Sequence, residues 1–342
     1  MSLEQGNEET EEARGVRPAE LTGSDSRTFL VTGALGAIGT WTIRRLIDRG
    51  HRVVALDFGA DDHRLAIALT PTEITSVVRV NGDITDLATV EAAMSTHDID
   101  GVIHLAAFQV PMVRENPGLG AHVNVVGTVN VLEAARRRGN IGPVVYASSI
   151  AAYGPAGTLD GDDPPQTLYG VFKRANETTA VRYYEDFGVA SIGLRPHTVY
   201  GPARDQGITS APTLAMVAAA AGVPYRIPFN ARLQLQYALD VGEAFARAAL
   251  LEYEGAAVHN LDGEVVGMEA FREMITKVIP QAGALITIDN VDLPLVEGVD
   301  GASFIELLGG SVMRPVADGV RDALGRFEQL LARGLVKAPA SI

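Results

Sequence analysis

The stretch VTGALGAIGTW, residues 31–41, places three glycines between a short apolar run and a segment of helical periodicity. A strand that leads directly into a glycine turn and then a helix aims free backbone N–H groups and the helix N-terminus at one point. Such a point binds an anion, above all the pyrophosphate of a dinucleotide. We expect Gly33 to permit the tight turn, Gly36 to let the phosphates approach and Gly39 to bring the helix against the strand.

A carboxylate stands where the ribose of such a dinucleotide would lie. The second predicted strand, residues 51–57, ends at Asp57. There a carboxylate can accept hydrogen bonds from the ribose 2′- and 3′-hydroxyls, and it repels a 2′-phosphate. NAD is therefore expected rather than NADP, although His63 and Arg64 are near enough in sequence to leave NADP open.

Composition excludes several classes of protein. The chain has 342 residues, 47% of them apolar, and a net charge of −14. A surface so acidic repels phosphate backbones and anionic lipids, which argues against nucleic-acid and membrane-surface roles. Cysteine is absent, which rules out disulfides and thiolate chemistry and favours a reducing compartment. With no signal-peptide pattern and no spanning apolar stretch, a soluble cytoplasmic protein is expected.

Short β-like runs alternate with helical patterns, which predicts a doubly wound α/β fold with a parallel, Rossmann-type sheet. The predicted strands are 28–32, 51–57, 76–83, 101–105, 143–147, 191–195 and 258–261. The predicted helices are 38–48, 87–95, 122–138, 169–187, 211–221, 240–253 and 316–333, and 202–212 is expected to be a loop. No clustering of His and carboxylates predicts a metal site.

The same pattern predicts the domain organisation. Residues 1–26 carry seven acids against two arginines and are expected to be a disordered acidic tail. Residues 27–200 plus 232–262 are predicted to form the NAD-binding domain. Residues 201–231 plus 263–342 are predicted to form a smaller, discontinuous substrate lobe.

Tyr169 and Lys173 lie four residues apart at the start of a helical pattern, so they share one face. A neighbouring ammonium stabilises a phenolate and lowers a tyrosine pKa, although a surface cation over a ring has the same spacing. Lysine occurs only at 173, 277 and 337 in this arginine-rich chain, which favours a specific role. Ser148 and Ser149 end a predicted strand, where a hydroxyl points into the ligand crevice or simply begins a turn.

Taken together, these motifs resemble the short-chain dehydrogenase/reductase superfamily, in its extended NAD-dependent epimerase/dehydratase branch. The resemblance covers nearly everything from residue 27 onward. The matching stretches are TGALGAIG (32–39), Asp57, GDITD (82–86), HLAA (104–107), NVVGTVNVLEAA (124–135), SSIAAYG (148–154), Tyr169 with Lys173, LRPHTVYGP (194–202) and RPVADGVRDAL (314–324).

The resemblance implies roles for individual residues. Tyr169 would be the acid/base, Lys173 its tuning residue and Ser149 the hydrogen-bonding partner of the substrate oxygen. The implied cofactor-binding residues are Gly33, Gly36, Ala37, Ile38, Gly39, Asp57, Asp83, Ile84, Leu105, Ala106, Ala107, Asn124, Tyr169, Lys173, Pro196 and His197. The candidate substrate residues are Gln109, Ser149, Thr198, Arg204, Ser210 and Arg232. A homodimer through helices 122–138 and 169–187 is also implied.

Three departures from the family pattern bear on the reaction. Ile150 and Ala151 stand where dehydratases carry an Asp-Glu pair, so a dehydratase is not expected. Thr198 replaces the asparagine usual in members that act on nucleotide sugars. Leu233 stands where such members have an arginine that grips the diphosphate. Arg232 is one residue away, and a one-residue slip on a strand turns the side chain to the other face.

Three functions follow as hypotheses. The first is an NAD-dependent epimerase of a nucleotide sugar, in which the cofactor stays bound. The second is an NAD-dependent dehydrogenase of a free sugar or sugar acid, which the missing diphosphate grip favours. The third is an NAD-binding regulator without catalysis, against which Ser149, Tyr169 and Lys173 argue.

Overall fold

Seven parallel strands form the main sheet of the computed structural model, which describes residues 26–293 and 295–339. The strands are β1 (Thr28–Thr32), β2 (Arg52–Asp57), β3 (Val78–Asn81), β4 (Gly101–His104), β5 (Val144–Ala147), β6 (Ser191–Arg195), β7 (Thr198–Tyr200), β8 (Tyr225–Ile227), β9 (Arg232–Tyr237), β10 (Ala256–Asn260), β11 (Glu264–Gly267) and β12 (Ile286–Ile288). The main sheet has the order β10-β6-β5-β4-β1-β2-β3. This is the doubly wound Rossmann-type fold that the sequence predicted.

Helices cover both faces of this sheet. They are α1 (Ala37–Asp48), α2 (Leu65–Ala68), α3 (Pro71–Ser76), α4 (Leu87–Thr96), α5 (Val110–Glu115), α6 (Pro117–Ala121), α7 (Gly127–Arg138), α8 (Leu168–Phe187), α9 (Ala211–Ala221), α10 (Ala238–Leu250), α11 (Met268–Val278), α12 (Ala282–Leu285), α13 (Ala302–Leu308) and α14 (Val316–Ala332). None of the helices within 26–293 and 295–339 is long and apolar enough to cross a membrane.

Strand β1 lies inside the main sheet, between β4 and β2, and every residue of its sequence TFLVT is buried. Its side chains alternate between two cores, with Phe29 and Val31 in one and Leu30 in the other. The first core packs beneath α1 and α10, where Gly242 meets Trp41 so closely that an added Cβ would lie 2.5 Å from its Cβ. Trp41 is buried and donates its indole N–H to the Pro202 carbonyl at 2.8 Å.

The chain order creates a crevice at the carboxyl edge of the sheet. Strand β1 pairs with β2 on one side and with β4 on the other, so the connections diverge between β1 and β4. Ligands bind at such a switch point in open parallel sheets. The remaining described strands form a three-stranded sheet, β11-β9-β7, and a two-stranded sheet, β12-β8.

Several predicted boundaries change. The third strand is only Val78–Asn81. Its start moves because Thr70 and Glu73 form a capping box and Pro71 follows the cap, so that Pro71–Ser76 is a helix. The predicted helix 122–138 begins as a π-helical turn, His122–Val126. The predicted loop 202–212 contains a 3₁₀ turn, Ile208–Ser210, and the start of α9.

The predicted acidic tail lies outside the described residues except for Ser26. The division into two lobes stays a prediction. Strand β10 joins the main sheet as proposed, whereas β9, assigned to the same lobe, lies in the three-stranded sheet.

Candidate active site

A cavity of about 840 Å³ follows the carboxyl edge of the main sheet. Its walls are the glycine turn, the ends of β2, β4 and β5, the first turn of α8 and the loop after β7. A cavity of this size at a topological switch point is a typical ligand site.

The glycine turn forms a cradle that side chains would fill. Gly33 has φ of +63°, and a Cβ there would lie 2.5 Å from the Ala106 nitrogen. A Cβ at Gly39 would lie 2.6 Å from the Gly33 carbonyl oxygen. Gly36 caps α1 without a side-chain hydrogen bond, so the first N–H groups of the helix remain available for an anion. These features fit the pyrophosphate of NAD.

Asp57 organises the turn as well as facing the cavity. Its carboxylate accepts hydrogen bonds from the backbone N–H of Leu35 at 3.0 Å and of Gly59 at 3.1 Å. It is only partly buried, so carboxylate lone pairs remain for ribose hydroxyls. Asp83 and Ile84 lie farther along the same wall.

Close packing of α8 brings the three predicted catalytic side chains to one place. Thr167 caps α8 by accepting from the Gly170 N–H at 3.1 Å. At Gly170 a Cβ would lie 2.0 Å from the Ala151 carbonyl oxygen, so only glycine lets the helix approach the turn after β5. Ser149, Tyr169 and Lys173 all line the cavity as a result.

The electrostatics of this group differ in one respect from the sequence prediction. Burial raises the pKa of Tyr169, and a hydrogen bond with Ser149 and the nearby Arg204 guanidinium act in the opposite direction. Lys173 donates its ammonium to the Ala147 carbonyl at 2.6 Å and lies 5.6 Å from the centre of the Tyr169 ring. Burial lowers the pKa of Lys173 to about 8, with Glu177 partly opposing this. The Arg204 guanidinium thus acts on the Tyr169 pKa in the direction that the sequence prediction gave to Lys173.

A buried polar network adjoins Ser149 and Lys173, and the sequence did not predict it. Glu177, one turn after Lys173, accepts both Arg195 Nε and Nη2 at 2.7 Å and also the Ser148 hydroxyl. Arg195 Nη1 donates to the Tyr153 hydroxyl and the Asn260 side chain, each at 3.2 Å. Because Ser148 precedes Ser149, the network fixes the end of β5 where the predicted substrate contact stands.

The structure separates the predicted residues into two groups. Most of the predicted cofactor residues line the cavity: Gly33, Gly36, Ala37, Ile38, Gly39, Asp57, Asp83, Ile84, Leu105, Ala106, Ala107, Tyr169, Lys173, Pro196 and His197. Of the predicted substrate residues, Gln109, Ser149, Thr198 and Arg204 also line it.

Three predicted residues lie elsewhere. Asn124 is buried, and its side-chain amide donates to the Phe108 carbonyl at 2.9 Å and accepts from the Phe108 N–H at 2.7 Å. It therefore positions the cavity wall. Ser210 is buried and donates to the Gly207 carbonyl at 2.7 Å. Arg232 points to the surface and pairs with Glu297 at 3.2 Å. None of the three is among the residues that line the cavity, and their roles as ligand contacts stay predictions.

Arg232 and Leu233 show the effect of strand alternation. Leu233 is fully buried in the core, and the adjacent Arg232 is turned the other way. Strand β9 therefore sends no arginine into the cavity.

Among the described residues, the substrate end of the cavity holds one arginine. Arg204 Nη2 donates to the Thr209 hydroxyl at 3.1 Å, Nη1 reaches Gln109 at 3.5 Å, and burial lowers its pKa. His197 donates or accepts at Thr198 and contacts the Val296 carbonyl at 2.7 Å, and burial lowers its pKa to about 4. His197 is therefore neutral at pH 7.

Several wall residues were not predicted. Gln166, Leu293, Leu295 and Val296 line the cavity. Gln166 could have been suspected because it precedes the cap of α8, but the other three come from a distant segment without a recognisable motif. Within the described ranges no group of three or more His, Cys, Asp or Glu side chains could hold a metal ion.

Comparison with known proteins identifies the relatives of this arrangement. A family model described as the NAD dependent epimerase/dehydratase family matches residues 29–260. UDP-glucuronate 4-epimerase 2 of Arabidopsis thaliana is 36% identical over 184 residues, which cover 51% of this chain and 42% of the relative. Protein CapI of Staphylococcus aureus is 33% identical over 188 residues, covering 51% and 54%. The chain thus spans about half the length of the curated relatives it matches.

Solved structures match over most of the chain. The UDP-glucose 4-epimerase of Thermus thermophilus in complex with NAD has a TM-score of 0.72 and 25% identity, covering 90% of this chain and 100% of that one. The L-threonine dehydrogenase of Clostridium difficile has a TM-score of 0.78 and 21% identity, covering 91% and 99%. The similarity to the L-threonine dehydrogenase shows a shared fold alone.

Proposed function

The chain belongs to the NAD dependent epimerase/dehydratase family, and we propose that it is an NAD-dependent nucleotide-sugar epimerase. The main support is the meeting of Ser149, Tyr169 and Lys173 in one cavity with the glycine turn. The relatives named UDP-glucuronate 4-epimerase and UDP-glucose 4-epimerase support a UDP-sugar as the first substrate to test.

The chain's own residues would hold the cofactor along the switch-point crevice. The turn at Gly33 and Gly36 would take the pyrophosphate, and Asp57 the adenosine ribose. Lys173 lies at the opposite end, beside Tyr169. When bound, NAD supplies a reversible acceptor for the hydrogen and two electrons that a sugar carbinol gives up and regains.

Tyr169 would move the proton of the reacting hydroxyl. As the phenolate, next to Ser149 and Arg204, it takes that proton while the carbinol becomes a ketone, and as the phenol it returns the proton when the carbinol forms again. Ser149 would hold the same oxygen, and the buried Lys173 would stabilise negative charge on the phenol. Ile150 and Ala151 follow Ser149 without an acid or base, so elimination of water, as in a dehydratase, is not proposed.

Arg204 would bind an anionic group of the substrate, because it is the arginine at this end of the cavity. The burial of Leu233 and the outward direction of Arg232 also favour a second candidate function, an NAD-dependent dehydrogenase of a free sugar or sugar acid. A substrate without a diphosphate would need no second cation. The regulator without catalysis has no comparable support.

The two candidates are distinguished by incubating the purified protein with NAD and UDP-glucuronate, UDP-glucose, free sugars or sugar acids. Absorbance reports NADH, and chromatography reports the sugar products. We expect an epimer of a UDP-sugar without accumulation of NADH. NADH formed in proportion to product from a free sugar or acid would replace the epimerase with the dehydrogenase.

We also propose a homodimer and a cytoplasmic location. Leu119, Val126, Leu168 and Val171 are exposed apolar side chains on neighbouring helical segments that include the start of α8, and a second copy would cover them. A monomeric mass by light scattering at micromolar concentration would contradict the dimer. The absence of cysteine supports the location.

A further inference from the structure

An ion pair links the loop after β7 to the segment after β2, at an arginine that lines the cavity. Asp205 lies in the loop after β7, and Arg64 lies in the segment after β2. Arg64 donates to Asp205 Oδ1 from Nη2 at 2.8 Å and from Nε at 3.2 Å. His63 Nε2 lies 3.6 Å from the other carboxylate oxygen. Asp205 therefore contacts both Arg64 and His63.

Arg64 stands beside the proposed ribose site. Its Nη1 donates to the Leu35 carbonyl at 3.2 Å, and Asp57 accepts from the Leu35 N–H at 3.0 Å. The Arg64 guanidinium thus binds the backbone carbonyl of Leu35, and the Asp57 carboxylate binds its backbone N–H, within the glycine turn. The Arg64 side chain is 14% exposed, and its residue lines the cavity.

An arginine beside the ribose is the feature that accommodates the 2′-phosphate of NADP. Here the guanidinium is already bonded to a carboxylate, and binding a phosphate would require it to leave Asp205 or bring two anions together. Asp57 adds a second negative charge at the same place. The charge pattern around Arg64 therefore opposes a 2′-phosphate although an arginine is present.

We propose that Asp205 is a cofactor-specificity residue, which holds Arg64 in an ion pair and so excludes NADP. The inference rests on the proposed use of NAD. It assigns the discrimination to two carboxylates, one at the end of β2 and one in the loop after β7. Removal of Asp205 leaves Arg64 in place and free to bind a phosphate that carries a charge of about −1.5 to −2 at pH 7.

The test is binding of NAD and NADP to Asp205→Asn, measured by titration calorimetry at low salt without substrate. We expect the NADP dissociation constant to fall about five- to tenfold relative to that of NAD, since one negative charge is removed near a doubly charged phosphate. The double variant Asp205→Asn/Arg64→Gln should lose this gain. Asp62→Asn, which removes a carboxylate paired with Arg79 instead, should leave the ratio of the two constants within about twofold.

Each other outcome contradicts the inference in a recognisable way. An unchanged ratio in Asp205→Asn would show that Asp205 has no part in discrimination. An equal gain in the double variant would show a general field effect without Arg64. A wild-type protein that binds neither dinucleotide would overturn the NAD assignment itself. If a variant binds both dinucleotides more weakly, the ratio of its NADP and NAD dissociation constants still decides the question.

Discussion

The buried pair behind the active site makes a measurable prediction for stability. In Glu177→Gln the Arg195 guanidinium keeps its charge, but its two 2.7 Å carboxylate contacts become contacts with a neutral amide. The side chains of Arg195 and Glu177 are only 7% and 9% exposed, so water cannot replace the lost charge. Breaking a buried pair on one side costs about 3–5 kcal/mol. We expect a loss of this size in the free energy of unfolding.

Equilibrium unfolding in urea, followed by the fluorescence of the single tryptophan, Trp41, provides the assay. Glu185→Gln is the matched control because it removes an exposed partner of Arg182 on the same helix. The control should lose less than about 0.5 kcal/mol. The double variant Glu177→Gln/Arg195→Gln should lose less than the sum of its single variants. A loss below about 1 kcal/mol in Glu177→Gln, with additive effects, would refute the reasoning.

Three further predictions concern the cavity. Gly33→Ala should weaken NAD binding at least about tenfold by calorimetry, because its Cβ would meet the Ala106 nitrogen at 2.5 Å in a left-handed backbone conformation; unchanged affinity would contradict the cradle. Gly170→Ala should lower kcat more than about tenfold and leave NAD affinity within about threefold, because it separates α8 from Ala151; equal losses in both would show a global effect. Burial lowers the pKa of Lys173 to about 8, so its ammonium is charged below that pH. We therefore expect kcat to fall as the pH rises through 8; a flat kcat profile from pH 7 to 9 would show that the ammonium is not needed.

The sequence predicted the main sheet well where local signals agree. Strand β1 matched its predicted bounds because a short β-like run is followed by the glycine turn. The third strand begins later than predicted because the helix that starts at the capping box of Thr70 and Glu73 continues to Ser76. The π-helical turn at His122–Val126 has no signal in the periodicity.

The site was less accessible to prediction where it depends on distant contacts. Tyr169 and Lys173 could be paired because one helical turn separates them. Arg195 and Glu177 are 18 residues apart on different elements, and nothing in their local sequence pairs them. Asn124 was assigned to the cofactor, yet only the fold shows that its amide is used by the Phe108 backbone.

The central proposal is a redox-neutral inversion of a sugar carbinol with Tyr169 as acid/base, and isotope retention tests it most directly. UDP-glucuronate carrying deuterium on C4 would be incubated with NAD and either the wild-type protein or the Tyr169→Phe variant. Tyr184→Phe is the control, because Tyr184 is exposed on the same helix. We expect an epimer that keeps its deuterium, no free NADH, and loss of turnover in Tyr169→Phe alone. Deuterium in released NADH, or full turnover by Tyr169→Phe, would contradict it.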